Sequence, residues 1–289
     1  TGNIGFPILM EKNLKKNTIF IIEASSYQLD YSRYFRSRYS VILNLFPNHL
    51  ERHGTFKNYA KTKFKIVKSQ SQRDFAFIDS KNNILRKLIS KNKIKSKIVR
   101  INYAKYENYF KKIDNIYFNN YSNKKNFCFV FAIAKVFNVK IKILFDTVNN
   151  FKGLNYRQQI VHKSDKLIII NDSKSTSFSS TVPLLEVHKN IYWIVGGLAK
   201  KGDRFKLNRK YYKNIKAYIY GKDRNFFIKL LKDKISLQSS SNLKKIIKKI
   251  SKDLNKYDSE TVIIFSPSAA SFDQFKNFED RGKYFNENM

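Results

Sequence analysis

The sequence predicts an α/β protein built from two nucleotide-fold units, a central-type parallel sheet followed by a Rossmann-like domain. Three observations carry that prediction. Short apolar runs alternate with amphipathic stretches along the whole chain, the pattern of strands and crossover helices. At 289 residues, 42% of them hydrophobic and 15% aromatic, the chain is long enough for two ordinary cores and too apolar to be disordered. Polar residues gather directly after the apolar runs, where sheets of this kind bind ligands.

The elements follow in order. Residues 18–25 (TIFIIEAS), 39–45 (YSVILNL) and 74–79 (DFAFID) read as buried strands. So do 166–172 (KLIIIND), 191–197 (IYWIVGG), 217–221 (AYIYG) and 261–267 (TVIIFSP). Helical stretches lie between them at 56–70, 126–137, 178–187 and 242–256. Residues 100–125, rich in Tyr, Asn and Lys, carry no clear strand. A Gly-containing turn at 151–157 (FKGLNYR) separates a domain over 1–152 from one over 153–289.

Composition excludes several classes. One cysteine, Cys128, leaves no internal disulfide framework or multi-cysteine zinc site and suits a reducing cytosol. No apolar run reaches the ~18 residues of a membrane span, and no signal peptide is visible. The net charge of +35 invites a nucleic-acid reading. Its lysines are scattered among Asn, Ile, Phe and Tyr, however, as in KNNILRKLISKNKIKSK, which reads as composition bias on solvated faces. No nucleic-acid partner is expected; a basic surface would steer anionic nucleotides.

The strand ends are the place to look for chemistry. The run 18–22 leads into Glu23, Ser25 and Ser26, and the run 39–45 into FPNHLERHGT with Asn48 and His49. Three later runs end in NDSKST, GGLAK and SPSAASFDQF. Taken singly each is bland: a glutamate after a strand caps helices, Lys63 is one lysine among many, and NDSK makes an Asx turn with a helix cap. Order and spacing together change that.

Read together, TGNIG (1–5), EASSYQL (23–29), NHLERHGTFKNYAKTK (48–63), SNKKN (122–126), GLNYR (153–157), NDSKST (171–176), GGLAKKGDRF (196–205) and SPSAASFDQFKNFEDRG (266–282) resemble the Mur ligase family over essentially the whole chain. The last motif resembles the family's D-glutamate-adding branch.

The resemblance implies an ATPase-type central domain and an ATP-dependent amide ligase that adds D-glutamate to UDP-N-acetylmuramoyl-L-alanine through an acyl phosphate. It implies two magnesium ions, a cytoplasmic monomer and a role in cell-wall precursor synthesis. Glu23 and His49 match metal ligands, and Lys63 a lysine carried as a carbamate, whose anionic oxygens suit magnesium where an ammonium would repel it. His49, Lys63 and Lys174 match the catalytic set. Asn126, Arg157 and Asp172 match nucleotide contacts, Asn3 and Ser25 the UDP-sugar site, and Thr176, Lys200, Ser271 and Phe278 the D-glutamate pocket.

Asn48, Ser122, Tyr156 and Ser177 depart from the family pattern. Gly-x-x-x-x-Gly-Lys-Ser/Thr does not occur, and the sequence opens on Thr1 inside a glycine turn, so a truncated N-terminus is expected. The piece by itself is then expected to fold in its C-terminal domain, to lack stability over its first 150 residues and not to catalyse. Two rivals remain: a sister ligase of the same fold, and a basic pseudo-ligase that binds nucleic acid.

Overall fold

The computed structural model describes residues 8–12, 14–200, 202–254 and 260–289, which divide into two compact units, one of 1–111 with 125–144 and the other of 112–124 with 145–289.

In the first unit, β1 (Tyr39–Ile42), β2 (Phe75–Asp79) and β3 (Lys97–Ile101) form a parallel sheet in that order. Helices α1 (Ser26–Tyr31), α2 (Leu50–His53), α3 (Phe56–Lys68), α4 (Asn83–Ser90) and α5 (Glu107–Phe110) belong to it, and α6 (Tyr121–Val136) and α7 (Ile141–Asn149) run across its sequence limits. The helix α3 starts where the Thr55 side chain accepts from Asn58 N, a capping contact worth about 1 kcal/mol. Its face of Tyr59, Ala60, Phe64 and Val67 packs with Ile42, Ala76 and Ile78 from the sheet. Phe77 and Ile101 pack with Cys128, Phe129 and Ala132 of α6. Burial pushes the Cys128 thiol up to about 12, so it is an inert core group.

The run 18–25 departs from expectation. Among the described residues it forms no named strand and carries a single bridge at Glu23, and Ile19 and Ile21 are 65% and 85% exposed. An apolar run becomes a buried strand only where neighbouring strands cover its faces as well as taking up its backbone hydrogen bonds.

Asp74 fixes the turn into β2. Its carboxylate accepts from Arg36 Nε (2.8 Å) and Nη2 (3.2 Å) and from Ser71 N (2.7 Å). The Arg36 hydrogen bond is the main reason that its pKa falls from 3.8 to about 2. A depressed carboxylate stabilises above its ordinary pKa and loses that contribution as pH falls through its folded value. Amide exchange over 75–79 is therefore expected to accelerate between pH 4 and 2, and Asp74→Asn should flatten that dependence. An acid profile unchanged in the variant would remove Asp74 as the cause.

The second unit holds a six-stranded sheet in the order β4-β5-β10-β6-β8-β9 among the described residues. Its strands are β4 (Gln159–Lys163), β5 (Leu167–Asn171), β6 (Ile191–Gly196), β8 (Ile215–Tyr220), β9 (Ser236–Ser239) and β10 (Thr261–Phe265). All neighbours are parallel except β4, which pairs antiparallel with β5 through a bulge between Ile160 and His162.

Because side chains alternate along a strand, the apolar runs serve two cores. Ile168, Ile170, Trp193, Val195, Ile219 and Ile264 pack with Phe178, Leu184 and Leu185 of α8 (Phe178–Leu185) and Phe227 and Leu231 of α9 (Arg224–Leu231). Ile169, Ile194, Tyr218, Tyr220, Ile263 and Phe265 pack with α10 (Leu243–Leu254) and with Phe285 of α11 (Phe278–Asn288). In α10, Leu243, Ile246, Ile247 and Ile250 form one buried stripe, while Lys244, Lys245 and Lys248 are exposed. This is the sequence's charge pattern realised on a single helix. No helix among the described residues is long and apolar enough to cross a membrane.

Candidate active site

In the first unit, candidate residues gather after the 18–22 run and after β1. Ser25 caps α1: its hydroxyl accepts from Gln28 N at 3.2 Å, and the Gln28 side chain accepts in return from Ser25 N at 2.9 Å. His49 begins α2 with a left-handed backbone (φ 51°). Its Nδ1 lies 3.3 Å from Glu51 Oε1 and 3.4 Å from the Tyr27 hydroxyl, and the Tyr27 ring meets it edge-on at 5.1 Å. His53, four residues on, is buried, its Nε2 3.0 Å from Ser26 Oγ.

The helix α3 turns Lys63 inward, where its ammonium donates to the Ala24 carbonyl at 3.0 Å. Burial lowers the Lys63 pKa, and the charge of neighbouring Glu23 opposes that shift. The structure thus brings Lys63 to the Glu23–Ser25 segment across some forty residues of sequence. Asn126 lies on α6. Asn3 falls outside the described residues.

In the second unit the candidates follow the C-terminal ends of β5, β6 and β10. Asp172, after β5, is buried; Oδ1 accepts from Gln158 N (3.1 Å) and Oδ2 from Ser266 Oγ (2.8 Å). Burial raises its pKa to about 7 against those hydrogen bonds and the charges of Arg157 and Arg281. From Ser266 a chain of hydroxyls runs inward, Ser266 to Thr181 at 2.7 Å and Thr181 to Ser175 at 2.6 Å. Lys174 follows, its ammonium 3.9 Å from the centre of the Phe278 ring, a cation–π contact of about 0.5–2 kcal/mol. Thr176 is exposed two residues on.

Two short strands tie the other loops together: β7 (Leu198–Ala199) pairs antiparallel with β11 (Ala269–Ala270), Ala199 opposite Ala269. The ladder sets the loop of Lys200 beside the loop of buried Ser271. Gly197 makes the approach possible: at φ 126°, a Cβ there would lie 2.4 Å from the Ala270 carbonyl. Ser268 (φ 53°) is left-handed in the loop after β10, and Tyr156 and Gln158 (φ 61° and 52°) in the turn before β4; each costs on the order of 1 kcal/mol and such residues cluster at functional sites.

Residues that the sequence reading left without a role also meet here. Ser266 and Thr181 belong to the hydroxyl chain, and Arg281 is wholly buried against Ser173. The available signal was the Arg-Gly pair in the last motif, since glycine inside a helix such as α11 costs about 1 kcal/mol relative to alanine and needs a packing reason. The reason is Tyr156, whose ring would sit 2.3 Å from a Cβ at Gly282.

Comparison with known proteins matches residues 1–156 to the Mur ligase middle domain. The chain belongs to the Mur ligase family. With the family comes the enzyme class, an amide ligase of peptidoglycan-precursor synthesis. Among curated Mur ligases, UDP-N-acetylmuramoylalanine--D-glutamate ligase of Rickettsia bellii is 31% identical over 98% of this chain and 67% of its own length. The enzyme of the same name from Rhizobium meliloti is 30% identical over 98% of this chain and 65% of its own. The chain therefore spans about two thirds of the length of the curated relatives it matches. Among solved structures, the MurF ligase of Thermotoga maritima in complex with ADP aligns with a TM-score of 0.65 at 15% identity, covering 92% of this chain and 66% of that one. The likeness bears out the expected α/β architecture with a central domain of the Mur ligase type.

Proposed function

We propose that the protein carrying this chain joins D-glutamate to UDP-N-acetylmuramoyl-L-alanine at the expense of ATP. The observation that best supports the reading is the placing of Lys174, Lys200 and Ser271 after β5, β6 and β10 of one sheet, with Phe278 at the start of α11 against Lys174. Relatives named for this activity, similar over 98% of the chain, support it independently. In the proposed reaction the alanyl carboxylate takes the terminal phosphoryl group of ATP. The neutral amine of D-glutamate then attacks the acyl carbon, the amide bond forms and phosphate leaves.

Each group has a part suited to its chemistry. The D-glutamate carboxylates need donors, and Lys200 with the hydroxyls of Thr176 and Ser271 offers them. Lys174, held over Phe278, offers a positive charge for the transferring phosphoryl and acyl oxygens. Asn126, Arg157 and Asp172 would hold the nucleotide, and Asn3 and Ser25 the UDP-sugar.

Glu23, His49 and Lys63 fit a magnesium site once Lys63 is a carbamate. Its inward ammonium lies beside the Glu23 segment, and burial already disfavours the charged form. Magnesium bound there, one of two ions in this reading, would neutralise phosphoryl charge. Domains 1–152 and 153–289, a monomeric state and a cytoplasmic location complete the proposal.

The test is direct. Full-length enzyme is supplied with UDP-N-acetylmuramoyl-L-alanine, ATP and one amino acid at a time. Amide product and ADP are expected with D-glutamate and not with L-alanine or diaminopimelate. Preference for another amino acid overturns the substrate, and nucleic-acid binding without turnover favours the pseudo-ligase.

A further inference from the structure

Arg281, on α11, is wholly buried, and among the described residues no carboxylate lies within ion-pair distance of it. A buried guanidinium without a carboxylate partner is costly, so what it touches matters. Its Nε donates to Ser173 Oγ at 3.0 Å, and its Nη2 donates to Ser173 O at 2.7 Å and to Ala269 O at 3.0 Å. Ser173 Oγ in turn donates to the Phe278 carbonyl at 2.9 Å.

The third edge of the guanidinium faces the glycine turn after β6: a Cβ on Gly197 would lie 3.3 Å from Nη1. Nη1 makes no well-aligned hydrogen bond among the described residues, and the Tyr220 phenol lies close enough to feel the Arg281 side chain. Burial pushes the Tyr220 phenol up to about 12, with the Arg281 charge opposing. So one planar, rigid group contacts three loops. Ser173 belongs to the loop of Lys174 and Thr176, Ala269 to the loop of Ser271, and Gly197 to the turn of Lys200.

We propose that Arg281 is a positioning residue for the amino-acid pocket, bracing the loops after β5, β6 and β10 at fixed separation. A lysine ammonium cannot reproduce the brace. It is a point donor, whereas the guanidinium presents its donors in one plane and reaches two carbonyls and a hydroxyl together. The geometry also gives the buried charge a use: the carbonyls of Ser173 and Ala269, in the segments that carry Lys174, Thr176 and Ser271, both accept from the one guanidinium. The proposal rests on the reading that these loops form the D-glutamate pocket.

Two measurements separate the brace from that reading. Hydrogen–deuterium exchange on the full-length protein needs no substrate. Arg281→Met and the milder Ser173→Ala are expected to speed exchange at least about tenfold over both 173–177 and 269–274, with 56–68 unchanged. Steady-state kinetics then test the consequence. In Arg281→Met the KM for D-glutamate should rise at least about tenfold with the KM for ATP within about twofold, the signature of a displaced substrate contact. Arg281→Lys should recover little, and added guanidinium ion should partly restore the methionine variant.

Should Arg281→Met not fold, Ser173→Ala carries the same test, with a KM rise of about threefold. Unchanged exchange in both loops overturns the brace. Equal rises in both KM values also overturn it, reducing Arg281 to general stability. Faster exchange in a protein that uses a different amino acid keeps the brace and overturns the substrate instead.

Discussion

Lys63→Ala in the full-length ligase is expected to lose turnover by on the order of a hundredfold to a thousandfold, the scale of removing one preorganised charge-stabilising contact. The expectation begins with α3. Thr55 starts that helix, and its apolar face of Tyr59, Ala60, Phe64 and Val67 locks its rotation against the sheet. Locked in that way, the helix presents Lys63 inward, half-buried, with its ammonium on the Ala24 carbonyl. Burial lowers its pKa although Glu23 opposes the shift.

A lysine with a depressed pKa offers more neutral amine, and the neutral amine is what adds to carbon dioxide, forming an N–C bond and releasing a proton. The carbamate then supplies oxygens beside Glu23. Lys61 lies two residues earlier on the same helix and is exposed, so Lys61→Ala should stay within about twofold of wild type. A small carboxylate in the buffer should partly restore Lys63→Ala and do nothing for Lys61→Ala. Full activity of Lys63→Ala would reduce this lysine to a tether between α3 and the Glu23 segment.

The second large effect is expected at Lys200. Lys200→Ala should raise the KM for D-glutamate at least tenfold, since one charge-assisted hydrogen bond contributes about 1.5–3 kcal/mol and each 1.4 kcal/mol is a factor of ten. The KM for ATP should stay within about twofold, because the loss is confined to one substrate. The pairing of β7 with β11 is the structural reason, as it holds the loop of Lys200 beside that of Ser271. Gly197 at the root of the loop cannot carry a side chain there without striking the Ala270 carbonyl. A rise in both constants, or in neither, would take Lys200 out of the pocket. Lys201 would then be the next residue to test; its placement lies outside the described residues.

Much of this molecule was legible in the chain because local rules and tertiary structure agree where a core is two-sided. The runs KLIIIND, IYWIVGG, AYIYG and TVIIFSP are all strands within a residue or two of the expected limits. Covered on both faces, they have no polar side to dilute the signal. The stripe of Leu243, Ile246, Ile247 and Ile250 declared α10 for the complementary reason, one face buried and the other lysine. The polar residues after those runs were legible too, because a parallel sheet collects them at one edge.

Long-range pairing decided the rest. The run 18–25 has the apolar composition of a buried strand, yet Ile19 and Ile21 are exposed, because burial depends on what packs over a run and not on its composition. The edge strands β4 and β9 escaped notice because their burial is partial and their sequences mixed. No spacing rule could have joined Lys63 to Ala24, or Lys174 to Phe278 across about a hundred residues. Nor could one have put Arg281 under Ser173 and Ala269. The sequence by itself determined which segments are strands, which faces are buried and which polar residues end at the sheet's edge. Only the tertiary structure decided which of those residues meet, because hydrogen bonds and cation–π contacts act over a few ångströms of space and are blind to separation along the chain.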